Sequence, residues 1–199
     1  MTTLILSVLC AGIVALIAST SAGFAQAVND RARLAEARVV IAIELVAEKK
    51  LGPCQIDGEA WMAYPVPADI ARKYLGAHGG VTPGPPPASP RATLDPGGAR
   101  AEIFCSNAEN RARRDAANAA LQPGERISRV TLGYTFPVFD AAGRTAIVIV
   151  EHDVGTWRRD DDGSRVRSSG ETFGVAHIYR KRGKRWKLIA TEEVYSALY

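Results

Sequence analysis

Apolar and polar residues alternate most regularly over residues 130–195, in the C-terminal third of the chain. The first run has apolar side chains at every second position, namely Val130, Leu132, Tyr134, Phe136 and Val138. A second run extends from Ala146 to Val154, a third from Phe173 to Tyr179, and a fourth continues to Tyr195. A period of two is typical of strands with one buried face. The pattern predicts a four-stranded antiparallel meander.

The turns between these runs give the expected register of the strands. If the polar loop at residues 158–171 closes symmetrically, His152 lies opposite His177. A tighter turn at residues 182–183 keeps His177 and Tyr179 on the same face of the sheet. Because a shift of one residue would send every side chain to the other face, two turns that agree support one register.

A long helix is expected before the sheet. Residues 29–30 can cap it, and residues 52–53, Gly and Pro, stop it after about Leu51. Its apolar stripe consists of Leu34, Ala37, Val40, Ile41, Leu45, Ala47 and Leu51. Residues 39–41 are β-branched and compatible with a strand, but the apolar pattern is too long for one strand. The expected fold class is α+β, with a long N-terminal helix packed on the four-stranded antiparallel meander.

The middle of the chain predicts two shorter helices and a loop. Residues 69–75 have the composition of a two-turn helix that ends at a glycine. Ser106 and Glu109 have the spacing of a capping box, which predicts a helix over residues 107–121. Residues 79–98 are rich in proline and glycine, so we expect an exposed loop there.

The N-terminal segment lacks charged side chains and resembles a secretory signal peptide. Residues 4–18 are almost wholly apolar, and residues 25–27 read Ala-Gln-Ala, the pattern of a cleavage site. We therefore expect residues 1–27 to be a signal peptide that directs export to the periplasm or outside the cell. The alternative is a membrane anchor formed by the same segment without cleavage.

The remaining residues, 28–199, are of ordinary length for one α+β domain. Of the three cysteines, Cys10 lies in the expected signal, which leaves Cys54 and Cys105. In an oxidising compartment these two are expected to form a disulfide, which on the chain-entropy model contributes about 4 kcal/mol.

Positive charge is concentrated near the last turn, although the formal net charge of the chain is only +4. The cations are Arg180, Lys181, Arg182, Lys184, Arg185 and Lys187. This cluster could bind phosphate-rich envelope lipids or another polyanion. The alternative is a solvated hairpin tip that keeps the sheet edges soluble. For an exported chain we expect no nucleic-acid partner, and contact with a membrane surface remains open.

His152 and His177 are the residues with catalytic potential, and the expected register adds Glu192 to the same face. Two imidazoles and a carboxylate could ligate a metal or act as acid and base. The alternative is a hydrogen-bonded histidine in a core or pocket wall. Residues 160–163, Asp-Asp-Asp-Gly, fail as a calcium loop because the first and last carboxylate ligands are missing. We expect no cofactor and no resident metal.

The C-terminal third resembles small exported bacterial domains of unknown function. The similarity consists of residues 136–139, Phe-Pro-Val-Phe, and a final hairpin at residues 183–189, Gly-Lys-Arg-Trp-Lys-Leu-Ile. A helix followed by a meander is similar to cystatin-like and NTF2-like folds, which implies a curved sheet around a helix and a pocket between them. This resemblance carries no catalytic residue.

Three functions are consistent with these features. The preferred hypothesis is a non-enzymatic exported domain that binds an envelope partner or a small ligand, or has a structural role. The first alternative is a hydrolase or isomerase that uses His152 or His177 as a general base. The second is polyanion binding by the basic hairpin at residues 180–187.

Overall fold

A computed structural model of the chain describes residues 31–44, 51–77, 79–80, 88–95 and 97–198. The chain divides into two compact units, Met1–Glu36 and Ala37–Tyr199. In the first unit the described residues, 31–36, are helical. The expected signal peptide at residues 1–27 lies outside the described residues.

The second unit contains one mixed sheet of seven strands. The strands are β1 (Ile56–Asp57), β2 (Phe104–Cys105), β3 (Arg126–Tyr134), β4 (Val138–Phe139), β5 (Thr145–Arg159), β6 (Arg165–Arg182) and β7 (Arg185–Leu198). Their order in the sheet is β2-β1-β3-β5-β6-β7, and β4 pairs with β5. β1 is parallel to both of its neighbours, whereas the pairs β3–β5, β5–β6 and β6–β7 are antiparallel.

The helices are short. α1 covers residues 37–44 of this unit, and residues 45–50 lie outside the described residues. The others are α2 (Ala68–Leu75), α3 (Pro90–Leu94) and α4 (Asn107–Ala120), with a 3-10 turn at Ala101–Ile103. α4 has the predicted capping box, in which the Ser106 hydroxyl accepts from the Glu109 amide and the Glu109 carboxylate accepts from the Ser106 amide.

The expected fold class is wrong. The antiparallel strands β3, β5, β6 and β7 are part of a larger mixed sheet, and several short helices are present besides the helical residues 31–44 of the expected long helix. The alternating pattern could not reveal β1 and β2, because each has only two residues. A Pro/Gly-rich loop was also expected at residues 79–98, but Pro90–Leu94 is helical, with the Ser89 hydroxyl as its cap. Residues 81–87 and 96 of that loop lie outside the described residues.

The register expected for the β5–β6 hairpin is also wrong. His152 pairs with Phe173, and His177 pairs with Val148. The strands run on through polar residues, so the turn occupies only residues 160–164, where Gly163 has a φ of +82°. The sequence prediction treated residues 158–171 as a loop because they are polar, and this displaced every pair.

The β6–β7 hairpin differs from the prediction in two ways. Its turn is formed by Gly183 and Lys184, since Arg182 pairs with Arg185. Gly183 has a φ of +61°, the conformation that favours glycine at the first position of a tight hairpin turn. A bulge then leaves Ile189 without a direct partner, and beyond it Ala176 pairs with Glu192. One extra residue reverses which face the following side chains occupy.

The two faces of the sheet are covered differently. On one face, here called the α2 face, Ile147, Ile149, Ala176 and Ile178 are fully buried and form a core with Ile70 and Leu75 of α2. The other face, here called the α1 face, has Val148, Val150, His177 and Tyr179. Ala37, Val40 and Ile41 of α1 are fully buried.

Cys54 and Cys105 form the predicted disulfide pair, with their Cα atoms 4.8 Å apart. Cys105 lies in β2, opposite Asp57 of β1. The Cys54 amide also donates to the Glu102 carbonyl at 2.9 Å. The cysteine pair thus links the two ends of the long segment between β1 and β2, which contains α2 and α3.

Candidate functional site

The three side chains predicted to form a catalytic set do not come together. His152 and His177 share the α1 face but lie four residues apart along it, which is about 13 Å. The His152 ring stacks on Phe173, with ring centroids 4.6 Å apart and planes 6° from parallel. Glu192 lies on the α2 face, because the bulge at Ile189 reverses its direction. A His152–His177–Glu192 site is therefore absent from this arrangement.

His177 instead has a partner that the sequence did not indicate, the Glu44 carboxylate of α1. Its Nδ1 atom lies 2.8 Å and 2.9 Å from the two carboxylate oxygens. The Tyr179 hydroxyl donates to Glu44 Oε1 at 2.5 Å. Glu44 is 2% exposed, and the His177 side chain is 19% exposed.

The position of Glu44 follows from helical spacing. Ala37, Val40, Ile41 and Glu44 are at positions i, i+3, i+4 and i+7, so they lie on one side of α1. A glutamate within an apolar stripe is a signal that sequence reasoning could have used, because a buried carboxylate needs donors. Burial is the main reason that the pKa of the Tyr179 hydroxyl is raised, and the charge of Glu44 raises it further.

The α2 face has two polar clusters of its own. Glu192 accepts hydrogen bonds from Lys73 Nζ at 2.6 Å and from the Tyr74 hydroxyl at 2.5 Å. The hydrogen bond from Lys73 is the main cause that lowers the pKa of Glu192. In the second cluster the Tyr195 hydroxyl donates to the Glu151 carboxylate. In both clusters a tyrosine hydroxyl donates a hydrogen bond to a carboxylate. The first cluster therefore holds α2 against β7, and the second holds β7 against β5.

One cavity is an open groove beside the end of β3, with a volume of about 620 Å³. Residues 61–66 form one side of it, where the Met62 amide donates to the Tyr134 carbonyl at 2.8 Å. Gly133 permits this approach, since a Cβ there would lie 2.5 Å from Met62 Sδ. The rest of the lining consists of Ala71 and Leu75 of α2 with Gly79, Gly80, Thr135, Phe136 and Val138.

The described lining of this groove contains no charged side chain. The Trp61 and Phe136 rings pack edge to face, 5.2 Å apart. Trp61 Nε1 donates to the Ala88 carbonyl at 2.8 Å, and the Thr135 hydroxyl accepts from the Ile149 amide at 2.8 Å. Each of these polar atoms thus has a partner within the protein. What the groove presents to a ligand is apolar and aromatic surface, together with the half-exposed Tyr64 at its edge.

A second cavity, of about 510 Å³, lies on the α1 face between β6 and β7, and its described lining does not include His177. Thr191, which pairs directly with His177, lines it. The other lining residues are Glu171, Phe173, Val175, Glu193 and Ser196. This cavity is therefore acidic and more polar than the groove.

The predicted basic cluster is located at the tip of the β6–β7 hairpin. Its exposed members, with Arg144 from the neighbouring turn, are here called the basic tip: Arg144, Arg180, Arg182, Lys184, Arg185 and Lys187. Arg144 belongs to it because its carbonyl accepts from the Lys181 amide at 2.8 Å. Arg158 and Arg159 lie at the opposite end of β5, so they do not extend this surface.

Two kinds of site are not found in the part of the chain that the structure describes. No group of three or more His, Cys, Asp or Glu side chains there is arranged to hold a metal ion. No described helix is long and apolar enough to cross a membrane.

Comparison with protein-family models, curated proteins and solved structures gives no match to this chain. The resemblance to cystatin-like and NTF2-like folds therefore stays a prediction. The features with functional potential are the groove, the contacts of Glu44 with His177 and Tyr179, and the basic tip.

Proposed function

We propose that the protein is a non-enzymatic exported domain that binds a small, uncharged apolar ligand in the groove lined by residues 61–66. The observation that carries this proposal is the groove itself, which combines ligand-sized volume with a lining that is uncharged among the described residues. Export is supported by the signal-like residues 1–27 and by the pairing of Cys54 with Cys105, since disulfides persist in oxidising compartments.

The dimensions of the groove suit a small molecule. Its volume of about 620 Å³ falls within the range of about 300–1,000 Å³ that is typical of ligand pockets. Aromatic walls bury much ligand surface, and they tolerate both flat rings and alkyl chains. Tyr64 is 41% exposed and its ring packs against that of Tyr195 at 5.0 Å, which holds the ring at the edge of the groove where a ligand would contact it.

The chemistry of the lining argues for an uncharged ligand. A charged group placed there would lose water without gaining a counter-ion from the described lining. The Trp61 indole N–H is bonded within the protein, and Thr135 is buried and already accepts one bond, so these groups add little selectivity for polar ligands.

Binding of N-phenyl-1-naphthylamine, a neutral dye that fluoresces in apolar surroundings, tests the proposal. We expect saturable binding by the wild-type protein. Ala63→Glu, which places a charge on an exposed lining residue, and Tyr64→Ala should each weaken binding about tenfold, the equivalent of about 1.4 kcal/mol. Val166→Ser is the matched control, because Val166 is equally exposed at 41% but lies in β6, outside the groove lining.

The control decides how a result is interpreted. If the Ala63 and Tyr64 variants bind the dye as tightly as wild type, the groove is not the ligand site. If Val166→Ser weakens binding as much as the groove variants do, the dye reports general exposure of apolar surface, and the proposal is overturned.

A second candidate function is a general-base site at His177. The specific observation is that the buried Glu44 carboxylate contacts Nδ1. In a neutral imidazole the proton is then held on Nδ1, which leaves the lone pair on Nε2 for a reactant. The 510 Å³ cavity is lined by Thr191, the strand partner of His177, and would have to hold that reactant.

Hydrolysis of 4-nitrophenyl acetate by pure protein tests this second candidate. His177→Gln should abolish a protein-dependent rate, whereas His152→Gln, whose ring stacks on Phe173, should retain it. Equal rates for both variants and wild type would eliminate the general-base role.

A further inference from the structure

The basic tip combines concentrated positive charge with exposed aliphatic side chains. Leu188 and Ile189 directly follow Lys187 and are 49% and 40% exposed. Few large apolar residues among the described ones are as exposed. Leu188 pairs with Tyr179 on the α1 face, whereas Lys187 pairs with Arg180 on the α2 face, so the aliphatic and cationic side chains lie on the two sides of the same edge strand. The β7 edge near the tip therefore offers both attraction for anions and affinity for an apolar phase to a partner that approaches it edge-on.

The charges of the basic tip are not neutralised by acidic neighbours. None of the ion pairs found among the described residues involves Arg144, Arg180, Arg182, Lys184, Arg185 or Lys187. The nearest carboxylate with a contact there is Asp140, which accepts from the Arg144 backbone amide at 2.7 Å. The cations are therefore available to an external anion.

The hairpin holds this surface rigidly. Trp186 is 6% exposed, and its ring packs edge to face on Phe139 at 5.8 Å. The half-buried Lys181 places its Nζ 5.8 Å from the Trp186 ring centre. β6 and β7 stay paired up to Arg182 and Arg185. Little ordering is thus needed when the tip meets a partner.

We propose that the basic tip docks on the surface of an anionic lipid bilayer, with Leu188 and Ile189 at the boundary between headgroups and acyl chains. Cations near an anionic membrane gain electrostatic attraction, and exposed aliphatic side chains gain by leaving water. A free polyphosphate would use the cations alone. The exposed Leu188 and Ile189 favour the bilayer. β7 is the last strand of the sheet, so no further described strand covers this edge.

Sedimentation with lipid vesicles tests the proposal. It is carried out with the complete chain and, separately, with a form that lacks residues 1–27. Vesicles of phosphatidylcholine with phosphatidylglycerol should bind the protein, and vesicles of phosphatidylcholine alone should not. The variant Arg182→Gln/Lys184→Gln should reduce partitioning by roughly an order of magnitude or more at low salt. Binding should fall further as salt is added, because these charges are exposed to solvent.

Two control variants make the test specific. Arg111→Gln/Arg113→Gln removes the same net charge from exposed positions of α4 and should leave partitioning nearly unchanged. Leu188→Ser/Ile189→Ser should weaken binding to anionic vesicles but not to inorganic polyphosphate in solution. If the α4 variant loses as much binding as the tip variant, net charge alone is responsible and the proposal is overturned. If Leu188→Ser/Ile189→Ser binds anionic vesicles as well as wild type does, the proposal is also overturned, and a free polyanion becomes the favoured partner.

Discussion

At the scale of single residues, the most informative side chain is Glu44. It lies within the apolar side of α1 and is 2% exposed, yet it receives hydrogen bonds from Tyr179 and contacts His177. A buried carboxylate is tolerated only when it is paired and hydrogen-bonded. Glu44 therefore joins α1 to the sheet, and the cost of disturbing it can be measured.

Tyr179→Phe removes one donor from Glu44 without changing the ring. We expect the free energy of unfolding to fall by about 1–3 kcal/mol, because the carboxylate stays buried with one bond fewer. Urea denaturation measures this change. Tyr64→Phe is the matched control, since Tyr64 is 41% exposed, and it should change stability by less than about 0.5 kcal/mol. Equal effects of the two substitutions would show that Tyr179 does not stabilise Glu44.

The sequence predicted some of these residues and missed others for identifiable reasons. The pairing of Cys54 with Cys105 was predictable, because these two cysteines remain after the expected signal peptide. The predicted pairing of His152 with His177 was wrong, since it depended on where a turn closes. Glu44 was missed because the stripe was assessed only for its apolar members.

At the scale of elements, small irregularities decide where side chains lie. The alternating pattern located the strands, but a bulge at Ile189 and a turn at Gly183 and Lys184 changed the pairing of β7. Neither feature alters hydrophobic periodicity enough to be read from one sequence. As a consequence, Glu192 contacts Lys73 and Tyr74 of α2 and does not lie with the histidines. The capping box at Ser106 and Glu109 was predictable because it depends on neighbours in sequence alone.

Gly174 is a position where β6 and β7 require the absence of a side chain. An added Cβ would lie 2.4 Å from the Tyr195 ring, whose hydroxyl donates to Glu151. We expect Gly174→Ala to lower the free energy of unfolding by about 1–3 kcal/mol, because the ring must move. Gly97→Ala, where nothing lies within 4 Å, is the control and should be neutral or slightly stabilising. Thermal unfolding of both variants measures these changes. A Gly174→Ala variant as stable as wild type would contradict the close packing of Tyr195 on Gly174.

The capping box of α4 predicts a pH dependence. The hydrogen bond from the Ser106 backbone is the main cause that lowers the pKa of Glu109 from its usual 4.5. A carboxyl group whose pKa is lower in the folded state stabilises the fold above its unfolded pKa. That contribution is lost as the pH falls through the folded pKa.

Glu109→Gln isolates this effect, because glutamine can still accept the Ser106 amide but does not titrate. Stability of the wild type relative to this variant should be constant above about pH 5 and should decrease at lower pH. Urea denaturation of both proteins between pH 6 and pH 3 measures this difference in the free energy of unfolding. A difference that grows as the pH falls would contradict the assigned direction.

At the scale of the whole molecule, both proposed binding surfaces are products of tertiary structure. The groove joins residues 61–66 to α2 and to the end of β3, which are distant in sequence. Trp61, Met62 and Tyr64 were visible in the sequence, but nothing local indicates that Gly133 lets Met62 approach the sheet. The basic tip was predictable as a charge cluster, whereas the participation of Arg144 depends on strand pairing.

Methyl NMR of the protein labelled with ¹³C at the methionine methyl groups tests the central claim most directly. The chain has two methionines, Met1 and Met62, and Met62 lines the groove. Titration with N-phenyl-1-naphthylamine should shift the Met62 signal, with the same dissociation constant that dye fluorescence gives, and should leave any Met1 signal unchanged. Saturable dye fluorescence with an unmoved Met62 signal would contradict the account, because the ligand would then bind outside the groove.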